Sequence, residues 1–421
     1  MKNRAFLKDK SAIFIGETLM LDICLDIALK KFKQISVISD DKTILKKYKK
    51  KFNFIKVDDL HNMSFDYLFS VFNEKVVTRE ILKNIKILAL NYHDGPLPKY
   101  AGLYSSTWAI LNEEKIHGVC WHKIEESLDT GAIYQSAKFK INPYDKALNI
   151  DLKGVFMGIK LFRKLLTKLN HNENKGKKQN LTKRTYYGKK DFCKINNNGF
   201  LNFHKGSFEN LKLFRALNFS EKKKNYISQP KILTNKGPLI INSLYIEKYI
   251  LHKQYKAGTI LNFKNNSISA TCKDAILNCG IIYTKNKNFS KKFLPKLSKN
   301  ICNKFRSFGL DINYKHKSNI INKKLIKYYN SKNYENKLFE IFEIVKKIFG
   351  KKINLPSNDK KKITFLENLG PGAHRSWDSL EHIKFLFSIE KRFKIKVNEN
   401  NSDNFNNVGF VARYLIKTQS S

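Results

Sequence analysis

The 421-residue sequence predicts an α/β protein of three domains: an N-terminal domain on a mainly parallel sheet, a small β-rich domain and a C-terminal helical bundle. Three observations carry this prediction. Strand-like and helical patterns alternate over the first 170 residues, short β-like runs occupy about 184–297, and helical apolar spacing returns over about 335–418. The predicted domains are therefore 1–170, 184–297 and 335–418, with the Lys/Asn-rich residues 298–334 as a linker.

The elements of the first domain follow from its apolar patterns. Strands alternating with helices of about 10–15 residues indicate crossover connections, which is why the sheet should be mainly parallel. After Pro98 the pattern changes to two β-like runs joined by a short loop. The predicted strands are 12–16, 35–39, 67–72, 85–91, 117–124 and 132–141, and the predicted helices are 20–31 and 151–169.

Composition excludes several classes of protein. Hydrophobic residues make up 42% and aromatic residues 13%, which is too much apolar material for a disordered basic tail. No apolar run approaches 18 residues, so no membrane span is expected. The six Cys form no C-x-x-C pair and no zinc-like cluster with His, so no metal is expected and the thiols should be reduced. With no secretory signal evident, we expect a cytoplasmic location.

The formal charge of +44 suggests phosphate binding, yet its composition argues against a designed nucleic-acid groove. Only nine of the 80 basic residues are Arg, the residue that contacts phosphates and bases through two bonds at once. Lys and Asn are instead enriched along the whole chain, as an AT-rich coding bias would produce. A tRNA partner is therefore possible but not favoured.

The densest group of reactive side chains follows the strand predicted at 85–91. Asn91 and His93 are two residues apart at the carboxyl end of that strand, so they should face the crevice where α/β sheets bind ligands. Both can donate hydrogen bonds to an oxyanion forming on an attacked carbonyl. The simpler alternative is that His93 only satisfies the backbone of the next turn.

Asp129 strengthens the first interpretation. It lies in the loop between the last two predicted strands, where its carboxylate could face His93 and accept a proton from an amine. Its alternative role is an ordinary turn-capping Asp before Gly131.

Together these residues resemble the formyltransferases that use 10-formyltetrahydrofolate, including methionyl-tRNA formyltransferase. The family pattern is Asn-x-His, a Leu-Pro-x-Tyr-x-Gly turn and Asp-x-Gly about forty residues later, matched here by Asn91, His93, 97–102 and Asp129. Residues 94–96 (DGP) and Ala101 depart from many members. With 108–112 (WAILN) and 118–122 (GVCWH), they look closer to formylation domains of nonribosomal peptide synthetases. The resemblance covers roughly residues 11–285.

The resemblance implies a Rossmann-like catalytic domain, a small OB-like domain and 10-formyltetrahydrofolate as cosubstrate. It implies that Asn91, His93 and Asp129 form the catalytic trio. It places folate contacts approximately, around 69–76 and 125–130, with Phe69, Val71, Leu128 and Asp129 as the named candidates.

Ser379 lies in Asp-Ser-Leu at the start of a predicted helix. Such a Ser is most often only an N-cap. Here an amphipathic helix precedes it and a last helix near 408–416 follows, an order that resembles acyl or peptidyl carrier domains. The resemblance implies that Ser379 carries 4'-phosphopantetheine, an attachment that a helix N-terminus favours electrostatically.

The leading prediction is formylation of an amine on a carrier-tethered aminoacyl group in a nonribosomal-peptide-like pathway. It implies two partners, a phosphopantetheinyl transferase and an adenylating or acyl-loading enzyme. One alternative is formylation of a free amine, on methionyl-tRNA, an amino sugar or hydroxylamine. Another is a carrier or scaffold protein whose transferase domain is inactive.

Overall fold

The structure is a computed structural model of the chain. Its description covers residues 6–73, 77–171, 175–219, 227–234, 237–250, 255–264, 267–281, 332–349, 366, 369–370, 377, 379–398, 401, 405 and 408–419.

A seven-stranded sheet forms the centre of the N-terminal domain. Its order is β3-β2-β1-β4-β5-β7-β8, and the first five strands in that order are parallel. The last two strands run antiparallel, β7 against β5 and β8 against β7. The prediction of a mainly parallel sheet is confirmed. The strands are β1 (Ser11–Gly16), β2 (Gln34–Ile38), β3 (Asn53–Phe54), β4 (Phe65–Val71), β5 (Ile85–His93), β7 (Ile116–Lys123) and β8 (Ile133–Lys140), with the short β6 (Ala101–Gly102) outside this sheet.

Helices connect and cover these strands. The longest, α5, packs one face against β7 and β8. Gly158 allows this close approach, because a Cβ there would lie 2.4 Å from the ring of Tyr92. The ring of Tyr92 therefore lies on the side of the sheet that α5 covers. The helices of this domain are α1 (Thr18–Ala28), α2 (Lys42–Tyr48), α3 (Arg79–Lys83), α4 (Ser105–Leu111) and α5 (Ala147–Asn170).

Aromatic rings fill the core between α5 and the sheet. The ring of Phe69 on β4 stacks on Phe14 of β1 at 5.0 Å and meets Phe162 of α5 edge-on at 5.3 Å. The indole of Trp121 donates a hydrogen bond to the carbonyl of Gly158 (3.0 Å), so its one polar atom is satisfied in the core.

The middle part of the chain contains α6 (Ser207–Leu217) and a five-stranded antiparallel sheet of order β11-β12-β15-β14-β13. A two-residue strand, β9 (Tyr186–Tyr187), instead pairs with β6, and β10 is Phe203–His204. The closure of this region into an OB-like barrel stays a prediction. The sheet strands are β11 (Lys231–Thr234), β12 (Gly237–Tyr249), β13 (Ile260–Lys264), β14 (Ser267–Thr271) and β15 (Ala275–Ile281).

Three further helices confirm the predicted helical C-terminal region: α7 (Lys332–Phe349), α8 (Ser379–Phe393) and α9 (Val408–Gln419). Helix α8 begins at Ser379, where the sequence placed its start. The carrier fold itself stays a prediction. Of the predicted linker 298–334, residues 298–331 lie outside the described residues, as do Asp378 and residues 282–297 of the predicted middle domain.

The C-terminal region contacts the outer side of α5. The rings of Phe156 and Phe387 lie 5.1 Å apart, and the guanidinium of Arg163 lies 4.7 Å from the centre of Phe387. Between these aromatic contacts, the ammonium of Lys160 donates to the carboxylate of Glu390 and to the carbonyl of Val397. Helix α8 is thus held on α5 by one ion pair, one contact between a guanidinium and an aromatic ring, and one contact between two rings.

None of the helices described is both long and apolar enough to cross a membrane.

Exchanging the charges at this contact should show whether it holds α8 on α5. Lys160→Glu places two carboxylates together, so we expect a lower thermal midpoint, and adding Glu390→Lys should recover part of the loss. For residues in contact the coupling is about 0.5–3 kcal/mol. The exposed Lys164 on the same helix supplies the control, Lys164→Glu. If Lys160→Glu unfolds no earlier than this control, the contact does not stabilise the chain.

Candidate active site

The carboxyl end of β5 places Asn91 and His93 on one face of the sheet, because side chains alternate along a strand. Tyr92 lies between them and faces α5. On the neighbouring antiparallel strand, the register sets His122 directly opposite Asn91. Three polar side chains therefore converge on the face of the sheet that α5 leaves open.

His93 is oriented by the turn that follows it. Its Nε2–H donates to the carbonyl of Tyr100 (2.8 Å), which can only accept, so this nitrogen carries a hydrogen. Its Nδ1 then faces two carboxylates, Asp94 at 3.9 Å and Asp129 at 3.8 Å. Gly95 makes the arrangement possible, because a Cβ there would lie 2.8 Å from both Nε2 and the Tyr100 carbonyl.

Asp129 occupies the centre of the cluster. Its Oδ2 accepts from the backbone N–H of Gly102 (2.8 Å), and its Oδ1 lies 3.5 Å from Nε2 of His122. The residue has a left-handed φ of 57°, which turns its carboxylate in toward the histidines. The Asp129 side chain is only 13% exposed.

The electrostatic environment keeps Asp129 ionised. Burial alone would raise its pKa, but the hydrogen bond from His122, the charges of His93 and His122 and the Gly102 N–H together hold the pKa well below its usual range. A carboxylate that is ionised and nearly buried can accept a proton from a substrate held next to it.

His122 is the site residue that the sequence did not single out. It is buried, its Nδ1–H donates to the carbonyl of Lys123 (2.9 Å), and its Nε2 lies 3.2 Å from the side-chain amide of Asn91 and 3.5 Å from Oδ1 of Asp129. It therefore orients Asn91 on one side and lies against Asp129 on the other. The one signal in the sequence was a His near the end of a β-like run, and it becomes informative only when β7 is known to pair with β5.

The predicted folate residues lie in two different environments. The side chains of Phe69 and Val71 are fully buried in the core, so a folate contact there would have to use backbone atoms at the end of β4. Leu128, next to Asp129, is 52% exposed and open to a ligand. Residues 74–76 lie outside the described residues. These folate assignments stay predictions.

Ser379 lies away from this cluster. Helix α8, which it begins, packs on α5 and therefore on the side of the sheet to which Tyr92 points. Asn91 and His93 point to the other side. The structure thus brings Asn91, His93 and Asp129 together, adds His122, and leaves Ser379 behind the sheet.

Comparison with known families agrees with the geometry of this site. Residues 28–164 match the family model described as formyl transferase, a range that includes the whole cluster. The chain contains a formyl transferase domain. Asn91, His93 and Asp129 all lie in this transferase domain.

Individual relatives align over parts of the chain. The bifunctional polymyxin resistance protein ArnA of Wigglesworthia glossinidia brevipalpis is 27% identical over 261 residues, covering 60% of this chain and 36% of that protein. A methionyl-tRNA formyltransferase of Thermodesulfovibrio yellowstonii is 35% identical over 117 residues, covering 28% of this chain and 37% of that protein. This chain therefore spans little more than a third of either curated relative.

A solved structure shares the fold. The N-formyltransferase of Helicobacter canadensis, solved in complex with folinic acid and dTDP-3-aminofucose, superposes with a TM-score of 0.52 at 23% identity. The match covers 65% of this chain and 100% of that one. About two thirds of this chain therefore shares a known fold.

The buried charge of Asp129 has a consequence for stability. An acid whose pKa in the folded protein lies below its unfolded value of about 3.9 stabilises the fold above that value, and the effect is lost as the pH falls through the folded pKa. Asp129→Asn should therefore cost about 1–3 kcal/mol at pH 7. In thermal melts, we expect the difference in unfolding midpoint between Asp129→Asn and the wild type to stay constant from about pH 8 to 5. Below about pH 4 this difference should become smaller.

Measuring Asp94→Asn in parallel supplies a control, because this carboxylate is the more exposed of the two beside His93. If the difference in unfolding midpoint between Asp129→Asn and the wild type grew as the pH fell, the sign of the pKa shift would be contradicted.

Proposed function

We propose that the chain transfers a formyl group from 10-formyltetrahydrofolate to an amine. The observation that carries this proposal is the largely buried carboxylate of Asp129, which lies 3.8 Å from His93 and 3.5 Å from His122, the histidine that contacts the amide of Asn91. It combines a proton acceptor with hydrogen-bond donors at one point, which is what acyl transfer to an amine requires.

The amine attacks the formyl carbon, a C–N bond forms, and the carbonyl oxygen becomes an oxyanion. Asn91 donates to that oxygen from its amide. Because Nε2–H of His93 is held by the Tyr100 carbonyl, only Nδ1 is left to face a substrate. When Nδ1 also carries a hydrogen it donates to the oxyanion, and the carboxylates of Asp94 and Asp129 compensate the charge of the ring.

The tetrahedral intermediate then collapses. The carboxylate of Asp129 takes the proton that the attacking amine must lose. The bond between the formyl carbon and N10 of the folate breaks, and N10 receives the proton that Asp129 took from the amine. The products are the formylated amine and tetrahydrofolate, so no further reactant is needed.

We further propose that the acceptor amine belongs to an aminoacyl group tethered to 4'-phosphopantetheine on Ser379. What supports this is the start of α8 at Ser379, between two other helices, and the favourable position of a helix N-terminus for a phosphodiester. A phosphopantetheinyl transferase and an adenylating or acyl-loading enzyme would then be required partners.

A free amine is the second candidate acceptor. Relatives named methionyl-tRNA formyltransferase favour an aminoacyl-tRNA, and the charge of +44 would attract a polyanion. The sugar nucleotide in the Helicobacter canadensis complex favours an amino sugar.

Attachment at Ser379 can be read from intact mass. After incubation with coenzyme A and a phosphopantetheinyl transferase, the wild-type chain should gain one phosphopantetheine, while Ser379→Ala gains none. Exposed Ser127 in the transferase domain provides the control, since Ser127→Ala should still be modified. An unchanged mass for the wild type would remove the carrier part of the proposal and leave formyl transfer standing.

Acceptor class can be tested by offering 10-formyltetrahydrofolate with aminoacyl thioesters, methionyl-tRNA or an amino-sugar nucleotide and detecting the formylated product by mass. We expect product with the tethered aminoacyl group. Removing an oxyanion donor costs about 10²–10³-fold in rate, so His93→Ala should lose activity on that scale.

Salt separates the acceptors further. The rate of formyl transfer to tRNA should fall steeply as the salt concentration rises, because binding to a polyanion depends on salt. The rate of transfer to a tethered amine should change little. If His93→Ala were as active as the wild type, or if no acceptor were formylated, the proposal that this site transfers a formyl group would be wrong.

A further inference from the structure

The segment 177–187, called the strap here, runs from the edge strand of the main sheet to the turn beside Gly102. At one end, Lys177 and Ile133 exchange two backbone hydrogen bonds of 2.8 Å. At the other end, β9 pairs with β6 beside Gly102, whose N–H is the backbone donor to Asp129. The strap thus joins the edge of the sheet to the turn that contacts Asp129.

Between these two ends, strap side chains bind the backbone of the Asp129 loop. The amide of Gln179 donates to the carbonyls of Asp129 (3.0 Å) and Gly131 (2.7 Å). The guanidinium of Arg184 donates to the carbonyl of Leu128 (3.0 Å). Three of the four carbonyls from 128 to 131 therefore accept hydrogen bonds from two strap side chains.

This loop needs such support because its conformation is strained. A residue other than Gly in the left-handed region costs about 1–3 kcal/mol and persists only where its surroundings fix it. Asp129 has φ = 57°, and that conformation aims its carboxylate at His93 and His122. Without the strap's hydrogen bonds, the loop could relax to an ordinary φ and turn the carboxylate away.

Among the described residues, each of these two side chains leaves one buried polar atom without a hydrogen bond. The position of the side chain therefore does not satisfy all of its own polar atoms. Oε1 of Gln179 and Nε of Arg184 are buried, and neither has a hydrogen-bond partner within the described part of the chain. A buried polar atom without a partner is costly and calls for a compensating role. Holding the catalytic loop is the role that the geometry offers both residues.

We propose that Gln179 and Arg184 are positioning residues that hold Asp129 in its catalytic orientation. This inference rests on the proposed function, since it assigns them to the proton acceptor of formyl transfer. Gln179 is the more important of the two, because it binds the carbonyl of Asp129 itself and a second carbonyl two residues later. Arg184 restrains the preceding residue and also lies over the ring of Tyr186 (5.0 Å).

The decisive variant is Gln179→Met, which keeps the length of the side chain and removes both donors. A displacement of about 1 Å at a reacting group can cost about 10²-fold in rate. We therefore expect kcat to fall by about 10- to 100-fold while KM for 10-formyltetrahydrofolate changes by less than about threefold. Gln179→Lys, which restores an N–H donor, should recover part of kcat.

Three further variants separate positioning from stability. Lys178→Met introduces the same residue at the exposed neighbouring position and should leave both constants unchanged. Arg184→Met should lower kcat in the same direction as Gln179→Met, and Arg184→Lys should restore it. A Gln179→Met protein that melts earlier but keeps the wild-type kcat would overturn the proposal, because the residue would then be structural only.

Amide hydrogen exchange makes this inference testable apart from the proposed function. Exchange in residues 127–131 should quicken in Gln179→Met and stay unchanged in Lys178→Met. If the wild type formylated no amine, the proposed function would fail while faster exchange would still support the loop restraint. Unchanged exchange in Gln179→Met would overturn the restraint, whatever the activity.

Discussion

The site depends on keeping one carboxylate charged where little water reaches it. Burial opposes the charge of Asp129, and the fold overcomes this with His93, His122 and the N–H of Gly102. Each partner comes from a different segment: the end of β5, the end of β7 and the turn before α4. Strand β7 pairs antiparallel with β5, and this pairing places His122 close to His93.

Residues that carry the motif were predictable from the sequence, and residues that act through tertiary pairing were not. Asn91 and His93 end a strand-like run and Asp129 precedes Gly131 in a short loop, so local pattern suggested the cluster. The family resemblance then implied the trio. His122 required the register of β5 against β7, a contact across 31 positions. The role of Gln179 was missed because residues 177–183 are mostly polar and only tertiary hydrogen bonds connect them to the Asp129 loop.

The arrangement of the C-terminal helices bears on how a tethered acceptor would reach the site. Helix α8 contacts α5 through Phe387 and Glu390, so α5 and the sheet lie between that helix and the cluster around Asp129. Delivery of an acceptor from Ser379 would require this contact to open. One of the many lysines of the chain stabilises this contact, because the ammonium of Lys160 binds the carboxylate of Glu390.

Single-turnover transfer by Asp129→Asn tests the central claim most directly. The variant keeps the shape of the side chain and removes only the proton acceptor, so the rate of formyl transfer from enzyme-bound 10-formyltetrahydrofolate should fall by about 10²–10⁴-fold. The rate is followed by rapid quench and product mass. A variant that transferred the formyl group within about threefold of the wild-type rate would contradict the assignment of Asp129 as the proton acceptor.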